Sequence, residues 1–475
     1  MVANLDAVVV GSGPNGLAAA ITLAERGLSV HVVEAESEIG GGCRTAELTL
    51  PGFHHDYCAA VLAFAEASPF FRAFDPAARG VGFVFPPAPL AHPLENDEAV
   101  LLERSVDDTA ANLGGDGARY RRIFAPLASH APQLLEQFLG PLRFPRHPLV
   151  VGGFGIPALL PATAFARIAY RERRARALFA GVAGHSMLSL DSPASTSMGL
   201  MLSLVGHAAG WPVVRGGTAN VVSALADRLV SLGGTIETGR RVRALADLPG
   251  SRLRLLDLVP RDVERVCGDE LPDRYRSRLR RYRYGPGVFK VDWALDGPVP
   301  WSDPRCARAG TVHVGGGLEE IVASEAAVAA GRHSERPLVI LAQPSLFDAT
   351  RAPAGRQTLW GYCHVPNGSR RDMTGAIEAQ VERFAPGFRD RIIARNTMDS
   401  AALEAHNANN VGGDINGGLF SLGQLFTRPA PRISPYTTPN RSIFICSAST
   451  PPGGGVHGMC GWWAAQAALR SVGRG

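Results

Sequence analysis

Two features of the sequence carry chemistry by residue type and spacing. The first is Gly11-Ser12-Gly13-Pro14-Asn15-Gly16, a GxGxxG string with Glu34 placed 18 residues beyond its last glycine. Glycines at that spacing suit a chain that turns tightly at Gly11, admits a pyrophosphate against its backbone at Gly13 and packs a helix closely on a strand at Gly16. The Glu34 carboxylate is placed to accept hydrogen bonds from an adenosine ribose. Context gives the string its weight. Asp6–Val10 reads as a buried strand, Asn15–Arg26 as an amphipathic helix and Leu28–Glu34 as a second buried strand, so the glycines open a βαβ unit. The helix then directs free N–H groups and a positive dipole end at the phosphates. The second feature is Lys290, the single lysine among 48 basic residues, in the expected strand Val288–Ala294. Where arginine serves everywhere else, one retained compact ammonium marks a position at which shape matters.

These residues need elements to hold them. Gly216-Gly217-Thr218 precedes an expected helix over residues 220–232. Gly233–Ile236 then leads into a strand that runs on to Arg240-Arg241-Val242, and Asp257–Pro260 is a further candidate strand. Glu270–Arg283 reads as an Arg-rich helix with a solvated face. Ser442–Cys446 reads as a buried strand, followed by the Gly-rich run 451–458 and a helix through Leu469. Residues 76–205 and 286–430 carry mixed helices and hairpin-like strands, with no second dinucleotide fingerprint. The expected organisation is a nucleotide domain in three pieces (1–75, 206–285, 431–475) interleaved with a substrate domain in two, a helical 76–205 and a sheet-and-helix 286–430.

A chain of 475 residues exceeds one compact core, and 46% hydrophobic against 19% charged residues describes a folded protein rather than a disordered one. The net charge of +5 is spread without a long run of one sign, so nucleic acid is not an expected partner. Seven cysteines with no CxxC pair point to reduced thiols in a cytoplasm-like compartment, to no metal cluster and against a disulfide reductase. No GxSxG elbow is present, which argues against a serine hydrolase. The N-terminus lacks a signal-peptide pattern. The apolar stretch Leu149–Ala169 is broken by three glycines, two prolines and Arg167, which argues against a spanning helix and leaves a channel wall or a membrane-touching surface.

After Glu34 the sequence continues Ala35-Glu-Ser-Glu-Ile-Gly40-Gly41-Gly42-Cys43-Arg44-Thr45. This resembles the E-x(5)-GG-x-x-R-T extension of the FAD-dependent amine oxidase and phytoene desaturase superfamily. Ile443–Ala468 resembles the flavin-contacting end of carotenoid desaturases. Tyr284–Trp293 and Gly413–Gly418 fit the phytoene dehydrogenase-related, PYROXD2-like group. The resemblance implies an α/β fold, a Rossmann-type FAD-binding domain of the glutathione reductase and p-hydroxybenzoate hydroxylase type interleaved with an α+β substrate domain.

It also implies non-covalent FAD. Gly11, Gly13 and Gly16 would hold the pyrophosphate, Glu34 the ribose, and Arg44 with nearby backbone the phosphates and ribityl chain. Val242 would bond the adenine through its main chain, and Gly455 and Val456 would lie under the isoalloxazine. Pro14, Asn15, Ala35, Gly41, Gly42 and Ser447 complete the set, Ser447 standing where relatives commonly carry glycine. Lys290 with Trp301 resembles the lysine arrangement that holds water near flavin N5 in amine oxidases. Pro51–Ala60 stands where relatives run G-F-x-x-D toward the flavin, which makes His54, His55, Asp56 and Tyr57 candidates for a proton relay or for the substrate face. His207 and His457 are further candidates. The implied reaction removes hydride from a C–H of a largely apolar small molecule, with oxygen or a quinone as acceptor. A redox-neutral isomerase that keeps reduced flavin, and an inactive flavin-binding scaffold, are the alternatives.

Overall fold

A computed structural model describes residues 5–473. Its nucleotide sheet has five strands, all parallel, in the order Ile443–Ile445, Ser251–Leu256, Leu5–Val10, Val30–Val33, Thr235–Glu237. The central strand ends in the fully buried run Val8–Val10, as a parallel sheet covered by helices on both faces requires. Val10 pairs with Val33 on one side and Leu256 on the other, and Leu256 with Ile445, so these strands end level at their carboxyl edge. Helices Pro14–Ala24 and Met459–Val472 lie together on one face. Gly461 permits their approach, since a Cβ there would sit 1.8 Å from the Asn15 carbonyl oxygen. Helices Pro260–Cys267 and Asp273–Arg280 supply apolar residues to the other face, with Val263, Val266 and Leu279 in its core.

Two expected strands are not strands. Asp257–Pro260 lies beyond the real strand, Ser251–Leu256, because Pro260 opens a helix, the position at which proline's missing N–H costs nothing. Arg240–Val242 is irregular backbone after a strand that stops at Glu237.

The second sheet has seven strands, in the order Ile392–Met398, Gly287–Leu295, Gln357–Val365, Val339–Ala342, Ala309–Val314, Ala88–Leu94, Asp97–Leu102. All neighbours are antiparallel except Ala309–Val314 with Ala88–Leu94. Two of its strands come from the stretch expected to be helical, residues 76–205. Phe289, Val291 and Trp293 enter a core on the far face with Leu341, Leu359 and Phe388, while Val288 and its alternate partners face the nucleotide domain. Six helices between Gly117 and Ala208 belong to this domain, and Arg173–Gly184 packs across the sheet. Among the described residues no single helix is long and apolar enough to cross a membrane. Helices Pro148–Ala158 and Ala162–Ala169 meet at 108°, and their outer side exposes Leu149, Ile156 and Ile168.

Candidate functional site

A single cleft of about 2190 Å³, open mouth included, runs from the carboxyl edge of the parallel sheet to the inner face of the mixed sheet. Ligands of doubly wound folds bind at that edge. At the nucleotide end the walls are Gly11, Gly13, Pro14, Asn15, Glu34, Ala35, Gly41, Gly42, Arg44 and Val242; in the middle are Ser447, Gly455 and Val456. The fold thus brings together thirteen of the fourteen cofactor-binding residues expected from sequence. The fourteenth, Gly16, stands behind the wall, where a Cβ would lie 2.0 Å from the Gly11 carbonyl oxygen. Its role is the close packing of helix on strand.

The helix start offers fewer free amides than the string alone implies. Pro14 has none, and the Gly16 N–H donates to Asp257 Oδ2 at 3.0 Å. Burial pushes the Asp257 carboxyl up to about 7, with the Gly16 amide opposing and Glu34 adding to the rise. Glu34 accepts the Ser12 N–H at 2.8 Å, the Ser12 hydroxyl at 2.6 Å and the Glu36 N–H at 3.0 Å, which fixes its carboxylate at the second strand's end. Arg44 donates through Nη2 to the Glu38 carbonyl at 2.9 Å and through Nη1 to that of His406 at 3.3 Å.

Whether these residues fit FAD can be judged from polar atoms left over. Asn15 Oδ1, Arg44 Nε, His406 Nε2, Asn410 Nδ2 and Ser449 Oγ are buried without a protein partner, and all five residues line the cleft. Such groups are rare in folded proteins unless a ligand or water meets them. Their spread along the cleft suits a long, polar dinucleotide, and the apolar wall of Ala59, Ala60, Phe64 and Val456 suits a flat ring system. The residues fit the group.

The five expected catalytic residues form the cleft's backing, and none lines it. Lys290 is buried and ion-paired with Asp292, whose carboxyl burial drives upward against the lysine's charge. Strand register sets Lys290 opposite Tyr362, a wall residue, and its charge bears on Cys58 and His406, also in the wall. Trp301 does not accompany it: its indole belongs to the core on the sheet's far face and donates to Gln343. His55 meets Thr49 Oγ1 at 2.8 Å and Asp292 at 3.7 Å, and burial, then the charges of Lys290 and Arg351, holds its pKa down at about 3. Asp56 is saturated. Arg351 Nη2 donates to it at 2.8 Å, and Thr45 Oγ1 and the Thr218 N–H supply its other oxygen at 2.7 and 2.9 Å. Tyr57 stacks on His406, ring centroids 4.0 Å apart. His457 faces the Gly453 carbonyl through Nε2 at 3.1 Å and accepts the Met459 N–H through Nδ1 at 3.0 Å, so it starts the last helix as a neutral ring. His54 is a surface residue beside Glu47, and His207 is buried against the Tyr120 hydroxyl at 2.7 Å.

At the far end of the cleft, sequence reasoning offered only the apolar stretch 149–205 as a channel wall and named no individual residue. Met198, Leu202, Trp211, Thr311, Ile340, Trp360 and Tyr362 wall a largely apolar chamber there. It also missed Asp257, Arg240, Arg241 and the asparagine run 407–410 at the nucleotide end. Of these only Asp257, an acidic residue directly after an apolar strand, left a local signal.

Residues 9–75 match the NAD(P)-binding Rossmann-like domain family. Over an alignment 558 positions long, gaps included, the chain is 24% identical to rat pyridine nucleotide-disulfide oxidoreductase domain-containing protein 2, covering 98% of this chain and 94% of that one. The chain is similar over nearly its whole length to the PYROXD2 proteins. Among solved structures, an oxidoreductase from Methanosarcina mazei superposes with a TM-score of 0.69 at 14% identity, covering 98% of this chain and all of that one. Cyclohexylamine oxidase from Brevibacterium oxydans does so at 0.62 and 17%, covering 99% of this chain and all of the oxidase. At these identities the likeness is one of fold. The chain combines a Rossmann-like nucleotide domain with an α+β domain across one shared cleft.

Proposed function

We propose that this protein is an FAD-dependent oxidoreductase that takes hydride from a C–H of a largely apolar small molecule, with oxygen or a quinone as the final electron acceptor. One observation carries the reading: a polar dinucleotide cradle and an apolar chamber are two ends of the same cleft. FAD bound there supplies a ring that accepts a hydride equivalent. The chain's own residues do the rest. Glu34, Arg44 and the glycine backbone hold the dinucleotide. Gly455 and Val456, ahead of helix Met459–Val472, would hold its flavin portion. Phe64, Met198, Leu202, Trp211 and Tyr362 exclude water from the reacting carbon.

Lys290 is a positioning residue in this scheme. Its ammonium, fixed by Asp292, imposes a positive field on the wall at Cys58 and His406. Such a field favours negative charge gathering on the far side of that wall.

The absorption spectrum of the purified protein tests the cofactor. Flavin bands that pass into the supernatant on denaturation are the expected result; a colourless protein that refuses reconstitution overturns the reading. For the acceptor step, Lys290→Met is expected to slow reoxidation by oxygen at least tenfold with flavin content preserved. An unchanged rate removes Lys290 from the scheme.

A further inference from the structure

The end of the chamber away from the dinucleotide cradle carries a small set of uncharged polar groups. Strand register places them: Thr311 opposes Ala342, which opposes Trp360, while His313 opposes Ile340, which opposes Tyr362. Thr311 and His313 are two residues apart on one strand and so share the face that carries Ile340 and Tyr362. His185 arrives from the helical side. It is the C-cap of helix Arg173–Gly184, and Met187, two residues on, adopts φ 53°, a left-handed conformation that an unbranched but bulky side chain takes up only under constraint. This turn brings His185 Nε2 to 2.9 Å from His313 Nε2, with the Trp211 ring centroid 6.3 Å away. His185, Thr311 and Trp211 line the cleft beside Met198 and Leu202.

The hydrogen bonding here is incomplete. His92 Nε2 lies 2.8 Å from the Gly316 carbonyl and therefore carries a hydrogen, which leaves the Nδ1 of the neutral ring as an acceptor. His92 Nδ1, His313 Nδ1 and Thr311 Oγ1 are all buried without a partner. A Cβ on Gly181 would lie 2.8 Å from His92 Nδ1 and 3.1 Å from His313 Nδ1, so this helix position must lack a side chain for the rings to sit there. Burial holds His185 down at about 3 and His92 at about 4, and the cluster is neutral at pH 7. The cations and carboxylates of the cleft wall, Arg44, Arg240, Arg241, Arg265, Glu34 and Asp257 among them, come from the nucleotide domain.

We propose that His185, held by His313, and Thr311 form an anchor for an uncharged oxygen, a hydroxyl or a carbonyl, on an otherwise apolar substrate. The anchor rests on the reading of this cleft as a hydride-transfer site and states what its substrate carries. A neutral imidazole and a rotatable hydroxyl can each donate or accept, so both oxygen types are served. The charged groups behind this end are already paired, Lys290 with Asp292 and the buried Glu325 with His364 Nδ1 at 2.7 Å, so a carboxylate, phosphate or ammonium of the substrate would be buried here without a counter-charge of its own, which a low-dielectric chamber disfavours.

The test uses the purified protein with its bound cofactor and five probes of one size: 4-phenyl-1-butanol, 4-phenyl-2-butanone, 4-phenylbutyrate, 4-phenylbutylamine and butylbenzene. Binding is read twice, by quenching of tryptophan fluorescence, since Trp211 and Trp360 line the chamber, and by perturbation of the flavin absorption. The alcohol and ketone are expected to bind at least tenfold more tightly than the acid and the amine. His185→Phe and Thr311→Val should each cost them at least fivefold while leaving butylbenzene unchanged. Thr311→Val alters shape little and stands in if His185→Phe does not fold. Equal binding of all probes, or an unchanged alcohol-to-butylbenzene ratio in the variants, overturns the anchor. Selective tryptophan quenching in a protein without flavin absorption would keep the anchor and discard the hydride-transfer reading instead.

Discussion

Asp257 is the residue whose chemistry departs most from expectation. It follows directly on strand Ser251–Leu256, is buried in the cradle and accepts the Gly16 N–H. Its folded pKa, near 7, stands above its ordinary value of 3.8, so the folded protein favours the protonated form. Stability contributed by that proton is present below about pH 4 and is lost as pH rises through 7. Asp257→Asn keeps an acceptor for Gly16 and removes the buried charge. Thermal melts of the cofactor-free protein should therefore show the variant more stable than the parent above pH 7, by on the order of 2–4 kcal/mol, with the gap closing toward pH 4. A gap independent of pH would mean that the carboxyl titrates normally. Legibility at this scale followed locality. Gly11, Gly13 and Glu34 declared themselves because one βαβ unit fixes their spacing, whereas Asp257 acts on Gly16 from 241 residues away.

Among elements, the hairpin Thr45–Glu47 with His54–Asp56 is held by a buried arginine that no motif announced. Arg351 reaches Asp56 at 2.8 Å, Asp348 at 3.2 Å and the Val214 carbonyl at 3.1 Å, tying the hairpin to the segment that enters helix Ala219–Ser231. Removing one partner of a buried pair strands the other's charge, at a cost of about 3–5 kcal/mol. Arg351→Met should lower stability by that much and loosen cofactor binding, since the hairpin leads into the Cys58–Ala60 wall. Denaturant titration and flavin retention on gel filtration measure the two effects. The triple variant Arg351→Met, Asp56→Asn, Asp348→Asn should recover part of the loss, and a failure to recover would locate the arginine's contribution in packing alone. The motif G-F-x-x-D drew attention to Asp56 for a site role; the hydrogen bonds it accepts from Arg351, Thr45 and Thr218 make it a structural joint, a distinction that needs coordinates on both sides of the domain boundary.

For the whole molecule the decisive fact is that the cradle is built from both ends of the chain. Gly461→Val pushes a branched side chain into the Asn15 carbonyl and should separate helix Met459–Val472 from helix Pro14–Ala24. The expected result is loss of flavin with a drop in melting temperature. Hydrogen exchange should show protection falling at residues 13–44 and 447–465 together, and loss at one end alone would contradict a shared cradle. The chamber was illegible in the sequence for the same architectural reason. Thr311, Ile340 and Tyr362 are unremarkable in their own strands and meet only through pairing register, which periodicity does not encode.

The strand order carries a consequence for biosynthesis. Ile443–Ile445 completes one edge of the parallel sheet beside Ser251–Leu256. A ribosome delivers that edge almost two hundred residues after its neighbour. Until then Ser251–Leu256 offers a bare ladder of amides and carbonyls, an invitation to wrong partners that folding helpers would have to shield.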